Sequence, residues 1–414
     1  MNASENQEAA PKAMLLNRSA ASPAIGVLCG SKKQFPISIC LARTTVLLAF
    51  LTWTLMSPLV AAETDSLLAA KSTPATLISV LDRFTGADVP AIGPGESEVP
   101  PPYWTIGPVP ADLPGKGLAQ HPMLYIGERC NKMFLVNGGK VVWTYSTGKG
   151  GEFDDAWLLS NGNILFSRMG YAEEITPQKK VVWHRAAPKN SEIHSVQPIG
   201  LDKVLILQNG LPPRLMIVNK QTGTAEVDHE LTPPRPNPGL PPNPKVALDS
   251  HGQFRRGRIT AGGTYLISWM SLGKVIEYDQ DFKEIWSCNA SRPWAAVRLR
   301  NGNTLITDEK EQLTREVNPK GETVWEFKLP ELPPGTPMIG SQSCVRLANG
   351  NTVICSVGGS RSGGGAGKAC QIIEVTPDKK VVWALCDWKT LGPCTAVQLL
   401  DEPGVPENPG ELGR

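Results

Sequence analysis

The residues of this chain that are best suited to chemistry stand just ahead of a series of short apolar segments. His194 and Arg255 are two of them, and carboxylates occupy the matching place one segment earlier. An imidazole can act as a general base or a nucleophile, and a guanidinium can hold an anion. We therefore predict His194 and Arg255 as catalytic residues. The residues predicted to bind a ligand beside them are Asp154, Asp155, Arg256, Trp294 and Gln342.

These side chains vary from one segment to the next, while the apolar framework around them repeats. Variation on a constant framework is typical of the place where a ligand is recognised. Further candidates at that place are Trp157, His251 and Ser343. The alternative is that all of these residues cap a channel and bind water, and that His194 has a structural role.

The apolar segments belong to a repeat that runs from about residue 120 to residue 401. Residues 156–183, 295–325 and 343–383 share one order: apolar strand, Asn-Gly-Asn turn, apolar strand, loop, strand with Glu, Pro-containing turn, and strand ending in Trp. Alternation of apolar and polar residues is typical of a half-buried strand. Asn-Gly readily takes the positive φ angles of a two-residue hairpin turn. Each copy is therefore predicted to form a four-stranded antiparallel sheet.

Weaker copies of the repeat complete a closed arrangement. Residues 194–227 and 254–286 are two degenerate copies. Residues 123–143 supply only three strands, and residues 395–400 match the missing inner strand. Six copies of about 47 residues fit the period of a β-propeller, which buries both faces of every sheet by stacking them in a ring. We predict an all-β, six-bladed β-propeller over 120–401, closed by the C-terminal strand completing blade one. An open solenoid and a sandwich are the alternatives.

Three further positions recur in the blades. A tryptophan ends the outer strand, which favours a structural wedge between blades over a stacking platform. An arginine precedes the hairpin turn in the last three blades, and a glutamate lies in the third strand of the same blades. We predict Arg–Glu ion pairs within the repeat, with an arginine ring for anionic ligands as the alternative. The residues are Trp143, Trp183, Trp286, Trp325, Trp383, Arg258, Arg298, Arg346, Glu277, Glu316 and Glu374.

The first 62 residues are typical of a signal segment. Basic residues precede the apolar run 44–56, and small residues follow it at Ala61 and Ala62, where cleavage is predicted. The chain is therefore predicted to be exported, to the periplasm or to the outside of the cell. An uncleaved membrane anchor is the alternative, although a bilayer span needs roughly 20 apolar residues. Membrane contact is predicted only through this segment.

The remaining parts of the chain are a linker and a tail. Residues 63–119 are predicted as a Pro-rich linker or surface strap with a short helix within 67–84, and residues 402–414 as a C-terminal tail. The net charge of +2 gives no basic surface, so nucleic acid is not predicted as a partner.

Seven cysteines follow the signal segment. Cys355 and Cys370 bracket a Gly-rich loop on adjacent strands. They are predicted either to form a disulfide or to remain two buried thiols. The chain has no CxxC pair, and neither a metal site nor a cofactor is predicted.

The unit NGNTLI…EVNPKGETVW resembles repeats of the quinoprotein-like β-propeller superfamily. It is similar to bacterial aryl-sulfate sulfotransferase-type six-bladed propellers and to uncharacterised exported propeller proteins. The resemblance implies a channel-mouth histidine that is transiently sulfated and an arginine beside it. His194 and Arg255 would occupy comparable places in this chain.

Three functions follow from these observations. The first is a propeller that binds a small molecule, a glycan or a protein at its channel mouth. The second is a sulfotransferase-like enzyme that uses His194, with Arg255 steadying the sulfuryl oxygens. The third is a structural scaffold, for which an apolar and plugged channel is expected. Whether the chain is an enzyme stays open at this point.

Overall fold

The structure, a computed structural model, describes residues 76–94, 96–97, 105–127, 131–148, 151–240, 249–358 and 367–414. The predicted signal segment, the start of the linker and part of the Gly-rich loop lie outside these residues. Within the described ranges, no helix is both long enough and apolar enough to cross a membrane.

The described strands form six four-stranded antiparallel sheets, which confirms the predicted six-bladed β-propeller. Blade 2 consists of β4 (Phe153–Leu158), β5 (Ile164–Arg168), β6 (Tyr171–Ile175) and β7 (Val181–Ala186). Blade 3 consists of β8 (Glu192–Ile199), β9 (Lys203–Asn209), β10 (Arg214–Asn219) and β11 (Ala225–Glu230). Blade 4 consists of β12 (Gly257–Ile259), β13 (Tyr265–Trp269), β14 (Lys274–Tyr278) and β15 (Glu284–Asn289).

The last two blades repeat the same order. Blade 5 consists of β16 (Pro293–Arg298), β17 (Thr304–Asp308), β18 (Leu313–Val317) and β19 (Thr323–Lys328). Blade 6 consists of β20 (Cys344–Arg346), β21 (Thr352–Cys355), β22 (Ile372–Val375) and β23 (Val381–Leu385).

Blade 1 is assembled from both ends of the repeat region, as predicted. It contains β1 (Met123–Gly127), β2 (Lys132–Asn137), β3 (Lys140–Ser146) and the last strand, β24 (Ala396–Leu399). Strand β24 pairs antiparallel with β1, with Leu399 opposite Met123. The ring is therefore closed by a seam of backbone hydrogen bonds rather than by side-chain packing alone.

The core of the molecule lies in layers between neighbouring blades. In one such layer, Tyr145 of blade 1 packs with Phe153 and Phe166 of blade 2. The rings meet at 5.3–6.0 Å in tilted or edge-on arrangements, which favour aromatic contact. Each blade thus buries its two faces against its two neighbours.

The segment before the first blade packs on the surface of the propeller. Four 3₁₀ helices are described in the chain: Ile78–Phe84, Gly117–Ala119, Ser250–Gly252 and Leu329–Glu331. The first lies within the range where a short helix was predicted, and its Phe84 contacts Trp143 edge-on at 5.4 Å. The Pro-rich strap follows, and the carbonyl of Pro114 accepts a hydrogen bond from the Ala384 N–H at 3.0 Å.

The Asn-Gly-Asn turn differs from the predicted two-residue turn. Only the glycine takes a positive φ, as at Gly162 with φ +88°. The Gly162 N–H donates to the Leu159 carbonyl at 2.9 Å, and the Leu159 N–H donates to the Asn163 carbonyl at 2.8 Å. This is a type I turn closed by a left-handed glycine. The first asparagine therefore stays in the ordinary region, and its side chain accepts the Asn163 N–H at 2.9 Å.

The second asparagine of the turn holds the glutamate of the third strand. Asn163, Asn303 and Asn351 each donate a side-chain hydrogen bond at 2.6 Å to Glu174, Glu316 and Glu374, respectively. The carboxylate is thereby fixed in orientation, with its other oxygen left for a second partner.

That second partner comes from the next blade, and two of the predicted Arg–Glu pairs are formed in this way. Arg298 of blade 5 pairs with Glu277 of blade 4, and Arg346 of blade 6 pairs with Glu316 of blade 5 at 2.9 Å. Two other blades use different cations: Lys220 pairs with Glu174, and His121 pairs with Glu374. Because adjacent blades are stacked, the glutamate of one blade faces the cation of the following blade. Arg258 alone of the three arginines pairs elsewhere, with Asp155.

The outer tryptophan joins the same blades a second time. The Nε1 of Trp286 donates to the Pro319 carbonyl at 2.9 Å, and the Nε1 of Trp325 donates to the Pro377 carbonyl at 3.0 Å. Both acceptors lie in the proline turn of the next blade. Arg298 lies over the Trp286 ring at 4.8 Å, a cation–π distance. These two tryptophans thus have a structural role between blades.

We predict that the closure between blades 6 and 1 weakens in alkaline solution. Burial disfavours the charged imidazole of His121, but Asp401 and Glu374 outweigh this effect and raise the pKa of His121 to about 9. Its stabilisation is therefore complete below the unfolded pKa of about 6.5 and is lost as the pH rises through 9. We expect His121→Gln to cost about 1–3 kcal/mol of unfolding free energy near pH 6.

The measurement is urea unfolding of the wild type and His121→Gln between pH 6 and pH 10. The difference between the two should shrink steadily as the pH increases. A difference that stays constant across this range would contradict the assignment of an imidazolium at the seam.

Candidate functional site

β-Bulges lie near the first residues of the inner strands at the predicted site. The pairing of β4 with β5 shifts between Phe153 and Asp155, which leaves Asp154 as the extra residue. The pairing of β8 with β9 shifts between Ile193 and Ser195, which leaves His194 as the extra residue. A bulge turns its extra side chain away from the regular alternation. Here it brings two equivalent positions of neighbouring blades into contact.

The mouth cluster consists of Asp154, Glu192, His194, His251 and Arg255. The Nδ1 of His194 lies 2.8 Å from Oδ2 of Asp154, and both side chains are fully buried. The Nε2 of His194 lies 2.6 Å from Oε2 of Glu192. The same glutamate oxygen lies 2.9 Å from Nδ1 of His251. One carboxylate oxygen is therefore flanked by two imidazoles.

The charges in this cluster support one another. Burial alone would lower the pKa of His194, but Asp154 and Glu192 outweigh it and raise the pKa. Burial would likewise raise the pKa of Asp154, yet His194, Arg255 and His251 hold it below its usual range. The pKa of Glu192 is also depressed, because burial is outweighed by hydrogen bonds from both imidazoles. The two carboxylates thus favour the charged form of His194.

Arg255 contacts the side of the His251 ring that faces away from Glu192. Its Nη1 donates to the backbone carbonyl of His251, and its Nη2 lies 2.9 Å from Nε2 of the same ring. The side chain is fully buried. Among the residues that the structure describes, Arg255 forms no ion pair within 4.0 Å.

A second group of charges, the axial cluster, consists of Asp155, Arg256, Arg258 and Arg414. Arg258 holds the Asp155 carboxylate with two hydrogen bonds, at 2.7 and 3.0 Å. Arg256 and Arg414 donate to the same carboxylate at 3.1 and 3.2 Å. Burial opposes ionisation of Asp155, but the three guanidinium groups hold its pKa below the usual range. The inside of the ring is therefore charged, unlike the apolar channel expected for a scaffold.

The C-terminal segment reaches into this cluster. Arg414 lies over the Trp157 ring at 4.0 Å and donates to the Ala156 carbonyl at 2.9 Å. Burial lowers the pKa of Arg414 to about 9, although Asp155 acts in the opposite direction. A cavity of about 310 Å³ lies beside this segment, lined by Arg298, Arg346, Gln398, Leu412 and Arg414 among others. That cavity borders the Asn-Gly-Asn turns, whereas the mouth cluster lies at the start of the inner strands.

The other predicted site residues lie apart from the mouth cluster. Trp294, the extra residue of a third bulge in β16, is buried and lies under Arg256 at 5.1 Å. The backbone of Gln342 contacts blades 5 and 6: its N–H donates to Cys355, and its carbonyl accepts from Thr307. The hydroxyl of Ser343 donates to the Thr395 carbonyl at 2.6 Å. These three residues support the inner wall of the ring.

The disulfide predicted between Cys355 and Cys370 is not formed. Both are free, buried thiols, as are Cys288, Cys344, Cys386 and Cys394. Cys355 is paired in register with Ile372 rather than with Cys370, and its thiol hydrogen-bonds to Cys394 of the closing segment. Cys370 lies near Cys386, which follows the last residue of β23. The second expectation, two buried thiols, is what the structure contains.

Sequence reasoning missed Glu192 and Arg414. Glu192 precedes His194 by two residues, a spacing that would place both side chains on one face of a strand without a bulge. This spacing is the signal that could have identified it. Arg414 carried no such signal, because residues 402–414 are not part of the repeat.

Comparisons with known proteins support the fold alone. No family model and no curated protein match the chain. A protein of unknown function from Bacteroides caccae is similar in structure, with a TM-score of 0.57 and 24% identity over 68% of this chain and 98% of that one. Two other similar structures have lower TM-scores. Virginiamycin B lyase from Staphylococcus aureus, in a catalytically inactive form with quinupristin, has a TM-score of 0.46 and 13% identity over 68% of this chain and 92% of that one. BamB from Moraxella catarrhalis has a TM-score of 0.36 and 12% identity over 54% of this chain and 64% of that one.

The fold and the site together define a class of protein. The chain is a six-bladed β-propeller with a buried charged network at the start of its inner strands. The similarities are at 24% identity or below, and the quinoprotein-like resemblance stays a prediction.

We predict that the axial cluster depends on Asp155 for stability. Asp155→Asn leaves three buried guanidinium groups without their carboxylate, so we expect a loss of about 3–5 kcal/mol in unfolding free energy. Asp281→Asn, at an exposed pair with Lys283, should cost less than about 0.5 kcal/mol. Urea unfolding at pH 7 measures both. Equal losses in the two variants would show that the axial network contributes little.

Proposed function

We propose that this chain binds a small molecule carrying an anionic group, such as a carboxylate, sulfate or phosphate, at its channel mouth. The observation that carries the proposal is the Arg255 guanidinium, fully buried and without an ion pair among the described residues. A buried cation is costly unless it is paired. The Asp154 carboxylate interacts with Arg255 only from beyond 4.0 Å, so an anionic ligand would supply a direct partner.

The neighbouring arginines provide a direct comparison with Arg255. Arg256 and Arg258 follow Arg255 by one and three residues. Both are also buried, and both pair with Asp155. The same strand entry therefore holds two guanidiniums that pair with a carboxylate and one that hydrogen-bonds only to His251. This contrast favours a ligand role for Arg255 over a general need for charge at this position.

The fold itself does not require charges at the mouth. At the position equivalent to Asp154 and His194, blade 5 carries Trp294, which is buried, whereas blade 4 carries Arg255. An aromatic side chain thus satisfies the same structural role in blade 5. This observation favours a binding function over a scaffold.

A test is the titration of the full-length chain with inorganic sulfate, phosphate, acetate and an aryl sulfate in the presence of EDTA. We expect at least one anion to raise the melting temperature and to bind by calorimetry. Arg255→Gln should weaken that binding by about 10- to 100-fold, since a hydrogen bond to a charged group is worth about 1.5–3 kcal/mol. Arg255→Lys should retain part of it.

The matched control is Arg292→Gln, in the loop that enters blade 5. Arg292 already pairs with Glu309 at 3.0 Å, so its loss should leave anion binding unchanged. Binding that is equal in the wild type and Arg255→Gln, or absent for every anion, would end the proposal.

The sulfotransferase-like alternative makes a separate prediction. A histidine that attacks sulfur needs a free neutral nitrogen, and both ring nitrogens of His194 face carboxylates. We therefore expect no transfer from 4-nitrophenyl sulfate to a phenol. Release of nitrophenolate that depends on the phenol and disappears in His194→Gln would favour the transferase instead.

A further inference from the structure

We propose that Glu192, His194 and His251 form a binding site for one divalent transition-metal ion of the zinc class. The proposal deepens the anion-binding function and rests on the same channel-mouth site. The three donor atoms are Oε2 of Glu192, Nε2 of His194 and Nδ1 of His251, and all lie within 4.8 Å of one another.

The spacing of these atoms is close to that of a coordination sphere. The glutamate oxygen lies 2.6 Å from one imidazole nitrogen and 2.9 Å from the other. Ligands bound about 2.0–2.2 Å from a tetrahedral zinc ion lie roughly 3.3 Å apart, so each contact must lengthen by less than about 1 Å. An ion would take the place of the two protons now shared between the imidazoles and the carboxylate.

The surroundings of His194 fit those of a metal ligand. A ligating histidine usually donates its other ring N–H to a carboxylate, which fixes the ring and raises its basicity. Asp154 accepts from Nδ1 of His194 at 2.8 Å and is fully buried. The Nε2 is thereby aimed at the point between Glu192 and His251.

A second combination of side chains is less suitable. Glu152, Asp154 and His194 also bring three donor atoms together. That set uses the Nδ1 of His194 and an Asp154 with no exposed surface. Glu192 and His251 keep 21% and 38% of their side chains exposed, so an ion can reach the first set from solvent.

The donor types select the metal. Two imidazoles and one carboxylate suit zinc and the neighbouring first-row metals, whereas magnesium and calcium prefer oxygen ligands. Three protein ligands leave a coordination position open, as in zinc sites that bind a further molecule. That position would receive the anionic group of the ligand.

Metal binding would also change the role of Arg255. Coordination through Nδ1 leaves the ring proton of His251 on Nε2, where Arg255 Nη2 now lies at 2.9 Å. Two donors cannot face each other at that distance, so the guanidinium must turn away. Arg255 is then free to bind the anion beside the ion.

The experiment is a titration of the full-length chain, free of any polyhistidine tag, with Co²⁺ and then Zn²⁺ in the absence of other anionic ligands. We expect visible absorption bands of nitrogen- and oxygen-ligated Co²⁺ that saturate at one ion per chain and are abolished by Zn²⁺. Mg²⁺ and Ca²⁺ should not abolish them.

Two ligand variants test the residues. His251→Ala and Glu192→Gln should each weaken Zn²⁺ binding at least tenfold, and both positions are partly exposed, so folding is expected to persist. His184→Ala is the matched control, because His184 also pairs with a glutamate, Glu173, at 2.8 Å on the outside of blade 2. It should leave the affinity unchanged.

The outcomes separate this proposal from the proposed function. Absence of the Co²⁺ bands, or Zn²⁺ binding that both ligand variants retain in full, would overturn the metal site, whatever the anion titrations in EDTA give. Zn²⁺ binding that is lost in both variants supports the site even if no anion binds.

Discussion

A carboxylate of one blade that holds a cation of the next is the contact on which the propeller depends. The turn asparagine orients the glutamate, and the glutamate reaches across the layer to Lys220, Arg298, Arg346 or His121. The outer tryptophan adds a hydrogen bond to the proline turn of the same neighbour. All of these residues lie at the turn end and the outer strand. The start of each inner strand takes no part in these contacts between blades, so its side chains can differ from blade to blade.

The residue at the start of the inner strand differs from blade to blade. Two bulges turn Asp154 and His194 towards each other, and a third places the Trp294 ring against Arg256. Charges that are buried in this way lower stability unless each finds a partner. Asp155 satisfies three guanidiniums, whereas the mouth cluster combines Asp154, Glu192 and His194. The two clusters are built on the adjacent residues Asp154 and Asp155 of one strand, and Arg256 also donates to the Asp154 backbone carbonyl at 2.9 Å.

The fold was predictable because its signals are local and periodic. The Asn-Gly-Asn turn, the strand glutamate and the terminal tryptophan each recur at fixed spacing, and the incomplete first blade pointed to strand 395–400. Spacing along the chain gives a residue's place within a blade, but not which neighbour it faces. The Arg–Glu pairs were therefore predicted without their exact partners, which lie in neighbouring blades. The turn type was also wrong, because Asn-Gly is compatible with two hairpin geometries that sequence alone does not distinguish.

The site was predictable in part for the same reason. His194, Asp154 and Arg255 were found by counting back from the turns, and the structure brings them together around His251. Glu192 lies two residues before the position that was counted back from the turn, so the counting did not include it. Arg414 comes from a segment with no repeat. The Cys355–Cys370 disulfide was expected from neighbouring strands, but the register turns the two thiols to different neighbours.

The pairing of β1 with β24 determines when the ring can close during synthesis of the chain. Strand β1 leaves the ribosome roughly 270 residues before its partner β24, which at about 5–20 residues per second is roughly 15 to 50 seconds. During that time, blade 1 presents an unpaired strand edge to other chains. Ring closure is therefore a step that follows synthesis of the last blade, and the first blade is the part of the nascent protein most in need of protection.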